Sequence, residues 1–285
     1  MNMNKYYKEV SSYFNNKAYE YDDVDNQLYW RLSDDFFKGI LKKELPSLLT
    51  NKKEVRLLDA GAGTGRWTFF VNEILQDSYN VSGTIIDISE KMLEVAVGKF
   101  KKNGLDNKFT SILGNIEEMP EVENNYYDLS ISFYNVISFV ENPDKSLEEI
   151  SKKLKKGGIH ISILANKYHS YYFSVLTNRL SSIKEIKSES KIRFNDMMPA
   201  IHCFTPEEAR NLYIKAGFKD VKVVGGPNFI YPGMEETHVH GSTEEIQNKL
   251  SDQKFYDEIL ALELDNYNNP DISGRANAIM VIAKK

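Results

Sequence analysis

One cysteine in 285 residues, Cys203, leaves no partner for an intrachain disulfide and too few thiolates for a cysteine-rich zinc site. A reducing compartment is the simpler setting for such a chain. Basic residues are not in excess: 36 Lys and Arg stand against 41 Asp and Glu, a net charge of −5, which weighs against a protein that tracks nucleic-acid phosphates. No run of about 18 uncharged apolar residues occurs, so no membrane-spanning helix is expected. The first residues, Met1-Asn2-Met3-Asn4-Lys5, lack the apolar core of a signal peptide. These absences predict a cytoplasmic address.

What is present suffices for a sizeable core, with 41% apolar side chains. Residues 5–48 read as helical, with Leu28, Trp30, Leu32, Phe36, Phe37, Ile40 and Leu41 at roughly helical spacing and Pro46 marking the end. Short β-rich runs then alternate with helical segments: 55–59, 83–87, 109–113, 127–133 and 159–164, the last entered through Gly157-Gly158 at a helix end. Thr205-Pro206-Glu207-Glu208 reads as a capping box opening a helix that ends at Gly217. Residues 221–224 and 276–283 read as two more strands. This rhythm predicts an α/β, doubly wound sheet. Residues 1–50 form an N-terminal helical segment, 51–166 the core, and 167–204 a cap insertion. Residues 205–285 complete the core, with a second insertion at about 226–274.

The strongest local signal is Leu57-Leu58-Asp59-Ala60-Gly61-Ala62-Gly63-Thr64-Gly65-Arg66, a buried strand running into alternate glycines before a helix. Such a loop admits positive φ and lets a ligand lie against bare backbone. Asp87 ends the next strand, where a carboxylate accepts hydrogen bonds from both ribose hydroxyls. The spacing is G-x-G-x-G, whereas the dinucleotide fingerprint is G-x-G-x-x-G, so a nicotinamide cofactor is disfavoured.

In these motifs, and in Ile86-Asp87-Ile88-Ser89-Glu90-Lys91-Met92, Gly114-Asn115-Ile116-Glu117-Glu118-Met119-Pro120, Tyr127–Phe133 and Leu154–Gly158, the chain resembles class I S-adenosylmethionine-dependent methyltransferases. Its likeness is to the group with ubiquinone/menaquinone-type and antibiotic-tailoring small-molecule enzymes. The resemblance implies a Rossmann-like seven-stranded sheet, mostly parallel with an antiparallel last strand. It also implies S-adenosylmethionine as cofactor, with S-adenosylhomocysteine as product. Gly61, Ala62, Gly63 and Gly65 would then pass beneath the methionine moiety, whose amino group Asp59 orients. Asp87 would hold the ribose, Ile88 and Met92 flank the adenine, and Asn115 and Ile116 meet its edge. The family commonly has Asp where Asn115 stands. Phe133 and Tyr134 would lie where sulfonium and acceptor meet. Tyr21 and Arg31, from an aromatic-rich N-terminal segment, are candidates for the methionine carboxylate.

In-line methyl transfer needs alignment and exclusion of water more than a catalytic triad. The candidate base is His202, in a Pro-x-x-His-x-Phe-Thr-Pro stretch like those of small-molecule members, with Tyr134 as a second catalytic candidate. Tyr168, Tyr171, Tyr172, Phe173, Phe229 and Tyr231 are candidates to line an acceptor pocket. His238 and His240 share a strand face but lack a third ligand, so no metal is expected. The expected reaction is transfer to N or O of a small-molecule acceptor. An RNA methyltransferase is the rival, although Ser132-Phe133-Tyr134-Asn135 departs from the Asn/Asp-Pro-Pro-aromatic tetrad of amino-methylating nucleic-acid enzymes. A noncatalytic cofactor-binding protein of the same fold is another. The insertions have the length for a lid or a homodimer contact.

Overall fold

The computed structural model describes residues 4–50, 52–230 and 242–285. Strands β1 (Glu54–Ala60), β2 (Asn80–Asp87), β3 (Phe109–Leu113), β4 (Tyr127–Ser132) and β5 (Leu154–Ala165) run parallel. Strands β8 (Lys219–Gly226) and β9 (Ala278–Lys284) complete a seven-stranded sheet in the order β3-β2-β1-β4-β5-β9-β8, in which β9 is antiparallel to both neighbours. A separate two-stranded hairpin, β6 (Lys191–Ile192) with β7 (Ile201–His202), lies in the cap.

The central strands are buried on both sides, as a sheet covered on both faces requires; β4 and β5 place Ser130, Ser132, His160 and Ser162 on one of those faces. Leu57, Ile85, Leu129, Ile131 and Met280 face one layer, with α2 (Leu28–Leu48), α3 (Arg66–Leu75) and α4 (Glu90–Lys102). Leu58, Ile86, Leu164 and Val281 face the other, with α5 (Pro143–Lys153) and α8 (Pro206–Lys215). Alternation with a period of two thus sends adjacent residues such as Leu57 and Leu58 into separate cores. Helix α8 starts on the expected capping box: Thr205 accepts from the Glu208 backbone, and Glu208 returns a bond from the Thr205 N–H.

Three expectations need correction. The N-terminal region is not one helical run but α1 (Lys5–Lys17), a 3-10 turn at Tyr21–Asn26, and α2. Pro46 does not end α2; it sits in the last turn, where only one backbone hydrogen bond is forgone, and the helix reaches Leu48. Nor does Gly157-Gly158 end α5. The helix stops at Lys153, β5 begins at Leu154, and the two glycines lie inside the strand where its register against β4 shifts. Gly157 has φ +77°, and a Cβ on Gly158 would stand 2.9 Å from the Lys155 carbonyl, so the pair lets the chain bend into the sheet.

The cap is α6 (Lys167–Leu176), α7 (Leu180–Glu189) and the β6–β7 hairpin. Its inner side packs against α1, since Phe173, Ile186, Ile192, Met198 and Ile201 share a cluster with Val10, Tyr6, Tyr13, Phe14 and Phe139. After β8 come α9 (Ser242–Leu250), α10 (Gln253–Asn266) and α11 (Pro270–Ser273); α9 and α10 pack on α2. The chain winds outward from β1 to β3, then restarts on the other side at β4. Ligands of open α/β sheets bind at such a reversal, beyond the carboxyl ends of the strands.

Candidate cofactor and acceptor site

A cavity opening to solvent, about 620 Å³ with its open mouth included, lies at that reversal, between the ends of β1, β2 and β4 and beneath α1. Its floor is the glycine turn. Gly61 and Ala62 both donate their N–H to the carbonyl of Ile86, at 2.8 and 3.0 Å, which locks the turn to β2. Gly61 and Gly63 both have positive φ, +90° and +52°, for different reasons. A Cβ on Gly61 would lie 2.3 Å from the Val136 side chain, so the turn needs a bare backbone to pack at all. A Cβ on Gly63 would meet nothing within 4 Å, because Gly63 lines the cavity itself.

Two buried carboxylates face this turn. Asp87 accepts from Gly63 N–H on Oδ2 and from Ser89 N–H on Oδ1, each at 2.8 Å. Burial raises its pKa, while the backbone donors of Ser89, Gly63 and Ile88 pull it down. Each oxygen retains acceptor capacity for a hydroxyl. Asp59, at the end of β1, accepts only from the Thr68 hydroxyl and forms no ion pair among the described residues. Burial pushes its pKa up to about 7, and Asp87 adds to that effect against the Thr68 hydrogen bond.

Segment 4–34 closes the site through several polar ties. Asp22 accepts from Thr64 Oγ1 at 2.7 Å and from Lys99 Nζ at 2.5 Å. Arg66 is paired with Asp25 and Asp34, and Asp34 also accepts from Tyr134. Burial pushes the Asp34 pKa up to about 6 in spite of Arg66 and the Tyr134 hydroxyl. On α1, Ser11 donates to the Ile88 carbonyl at 3.2 Å, and Asn15 accepts from Ser89 Oγ at 2.8 Å. Tyr7 donates to Glu117, which also accepts from the Asn142 N–H.

The structure brings Tyr21, Gly61, Gly63, Asp87, Ile88, Met92, Asn115, Ile116, Phe133 and Tyr134 to the cavity wall. Asp59, Ala62 and Gly65 stand behind that wall: Ala62 and Gly65 shape the turn, and Asp59 is buried beneath it. Arg31 is not brought there. It is exposed on α2, with its guanidinium 5.5 Å from the Tyr256 ring centre. His202 is not among the lining residues either; its Nε2 faces the Glu141 carbonyl at 3.2 Å, which requires the hydrogen on that nitrogen. Burial lowers its pKa, and Lys191 lowers it further. Tyr168, Tyr172 and Phe229 are exposed and Phe173 is in the cap core, so none of them lines this cavity. Tyr231 and the stretch Glu236–His240 lie outside the described residues.

Sequence reasoning missed Tyr7 and Val10 on α1, and Val136, Phe139 and Val140. Phe14, also on α1, belongs to the aromatic-rich N-terminal segment and lines the cavity with Tyr21. Arg66 carried a signal as well, since a cation at the first helical position opposes the dipole and wants acidic partners.

Among the described residues the lining has a carboxylate and a carboxamide but no Lys, Arg or His. That set suits an adenosine with a positive sulfur and an ammonium, and offers a pyrophosphate no counter-charge. The fold and site are those of an S-adenosylmethionine-dependent methyltransferase. Residues 51–217 match the model of the methyltransferase domain family, and the chain belongs to that family. Demethylmenaquinone methyltransferase of Staphylococcus epidermidis is 25% identical over 243 residues, covering 80% of this chain and 94% of that protein. The Staphylococcus aureus enzyme of the same name is 26% identical over the same shares. Among solved structures, an S-adenosylmethionine-dependent methyltransferase of Thermotoga maritima, described as a possible histamine N-methyltransferase, superposes with a TM-score of 0.56 at 18% identity. That alignment covers 96% of this chain and 99% of the other. A putative sarcosine dimethylglycine methyltransferase of Galdieria sulphuraria gives 0.56 at 17% identity, over 87% and 84%.

Among the described residues no helix is long and apolar enough to cross a membrane. No group of three or more His, Cys, Asp and Glu is placed among them to hold a metal.

Proposed function

We propose that the chain methylates an N or O atom of a small acceptor with an apolar body. The observation that carries this is the composition of the cavity wall. Asp87 and Asn115 supply polar groups fitted to an adenosine, and Val10, Phe14, Ile88, Phe139 and Val140 surround them with an apolar surface. That no Lys or Arg among the described residues lines the cavity disfavours a polyanionic acceptor such as RNA.

S-adenosylmethionine, when bound, supplies an activated methyl group on a positive sulfur. The protein's own residues do the rest by alignment and exclusion of water. Gly63 presents bare backbone to the methionine portion, and Asp59 supplies a counter-charge beneath it. Asp87 takes the ribose hydroxyls. Phe133 and Tyr134 line the same cavity, their rings backed by Trp67. Tyr134 is held rigid because its hydroxyl is committed to Asp34, so it orients the acceptor with its ring. His202 stands behind Glu141 and steadies the Val140–Asn142 turn, while the acceptor proton leaves to water.

The test is S-adenosylhomocysteine release across a panel of amines, phenols and other hydroxyl compounds, with transfer RNA alongside. Turnover of an apolar amine or phenol supports the reading. Turnover of RNA alone, or of acceptors at carbon alone, overturns it.

A further inference from the structure

The outer side of the cap bears a surface that the methyl-transfer site does not use. On α6, Tyr168, Tyr172 and Val175 follow one another at spacings of four and three and are all exposed. On α7, Leu180, Lys184 and Lys187 repeat the same spacing and are exposed too, while Ser182 and Ile186 take the buried side. The two helices pack on each other. Arg179, in the turn between them, donates to the Arg193 carbonyl at 3.2 Å and lies 3.9 Å from Asp196. That tie sets the β6–β7 loop, with Met197, beside the α6–α7 turn. Val175, Leu180 and Met197 are 68%, 69% and 78% exposed, far more than a helix pair needs to leave open.

Charge is distributed unevenly as well. Residues 167–204 hold six Lys and Arg against three Asp and Glu, a positive excess in a chain whose net charge is −5. Lys167 is paired with Glu208 and Arg193 with Glu9. Lys184 and Lys187 are exposed and form no ion pair among the described residues. The cap therefore offers apolar side chains bordered by ammonium groups held in no ion pair among the described residues, with the exposed carboxylates of Glu185 and Glu189 on the same helix.

We infer that this face is a docking surface for an anionic phospholipid bilayer. A lipid interface supplies both complements at once: anionic headgroups for Lys184 and Lys187, and an acyl boundary for Val175, Leu180 and Met197. A second copy of the chain fits less well, because a two-fold contact through this face would bring Lys184 and Lys187 of both copies together. A nucleic acid would meet the ammonium groups and leave the apolar stripe without a use. The inference stands on exposed side chains alone and does not depend on which acceptor is methylated.

Flotation of the full chain with vesicles tests it, using phosphatidylcholine alone or with roughly one third phosphatidylglycerol. The expected result is co-flotation with the anionic vesicles at low salt, loss on raising the salt, and little binding to phosphatidylcholine. Lys184→Glu with Lys187→Glu should weaken binding by at least about 25-fold, from about fivefold per basic residue removed. Val175→Ser with Leu180→Ser should weaken it about tenfold or more. Lys101→Glu with Lys102→Glu, exposed on α4, makes the same change in net charge elsewhere and should leave binding intact. Far-ultraviolet dichroism and S-adenosylmethionine affinity confirm that each variant is folded. Equal binding by the wild type and the cap variants, equal loss in the α4 control, or no binding to anionic vesicles overturns the inference. So does a cap-dependent dimer in sedimentation without vesicle binding.

Discussion

The backbone nitrogen of Gly63 lies 2.8 Å from Oδ2 of Asp87, so the residue that lines the cavity floor is held by the one expected to grip the ribose. Floor and grip are therefore one unit, and changes at either residue should be read together.

Asp87→Ala removes the acceptor of the Gly63 and Ser89 N–H groups and, on the proposed reading, of the ribose hydroxyls. S-adenosylmethionine affinity should fall by about a hundredfold or more, taking roughly 1.5–3 kcal/mol for each hydrogen bond to a charged group. Calorimetry measures this. An affinity within threefold of the wild type would remove Asp87 from the site.

Gly61→Ala and Gly63→Ala should part company. The first drives a methyl into Val136 at a φ of +90°, and should destabilise by about 3 kcal/mol or more through strain and overpacking. The second keeps the fold, with a loss on the order of 1 kcal/mol from its left-handed backbone, yet places a methyl in the cavity. Thermal unfolding should drop mainly in Gly61→Ala, and cofactor affinity should drop in both.

Asp59 gives a pH signature. Its folded pKa, about 7, lies above the ordinary carboxylate value, so the folded state holds this proton more tightly than the unfolded chain. Between about pH 4 and 7 the folded state binds more protons, and this group's contribution to stability falls as pH rises through that window, then levels off. A cationic ligand favours the ionised form. S-adenosylmethionine affinity should therefore rise from pH 6 to pH 8, with proton release seen as a buffer-dependent heat. Asp59→Asn should flatten both trends; an unchanged slope in that variant assigns the proton elsewhere, with Asp34 the next group to replace.

Arg66 neutralises Asp34, which is 2% exposed. Arg66→Ala should destabilise by roughly 3–5 kcal/mol, because it leaves a buried carboxylate without its partner. Adding Asp34→Asn should restore part of that loss, and urea titration of the four proteins closes the cycle. Additive effects would show that the pair is not coupled.

His202→Ala should lower turnover by no more than a few fold and leave the pH profile unshifted, since its Nε2 is committed to the Glu141 carbonyl. Loss of turnover with a shifted acidic limb would make His202 the base after all.

The sheet and its cofactor end were legible because each strand is a local pattern and each glycine answers a local need. Leu57 and Leu58 alternate into two cores, and Asp87 follows its strand at a fixed remove from the turn. The lid side was not legible in the same way. Tyr7, Val10 and Phe14 belong to a helix whose sequence is mostly polar, and their role depends on Ile88 and Phe139, far along the chain. Arg31 and His202 misled for a related reason. Residue type suggested chemistry, but Tyr256 and Glu141 claim those side chains, and neither pairing leaves a mark in sequence spacing. Tyr168 and Tyr172 have the spacing of a helix stripe, which cannot say whether the stripe faces inward or outward.

Helix α1 fastens to Ile88 and Ser89 at the adenosine end and, through Tyr6 and Glu9, to Ala200 and Arg193 of the cap. One element thus joins the carboxyl end of β2 to the cap. A cofactor that orders it from the cavity and a partner that orders it from the cap would each lower the other's ordering cost, and by linkage the gain in affinity would be mutual.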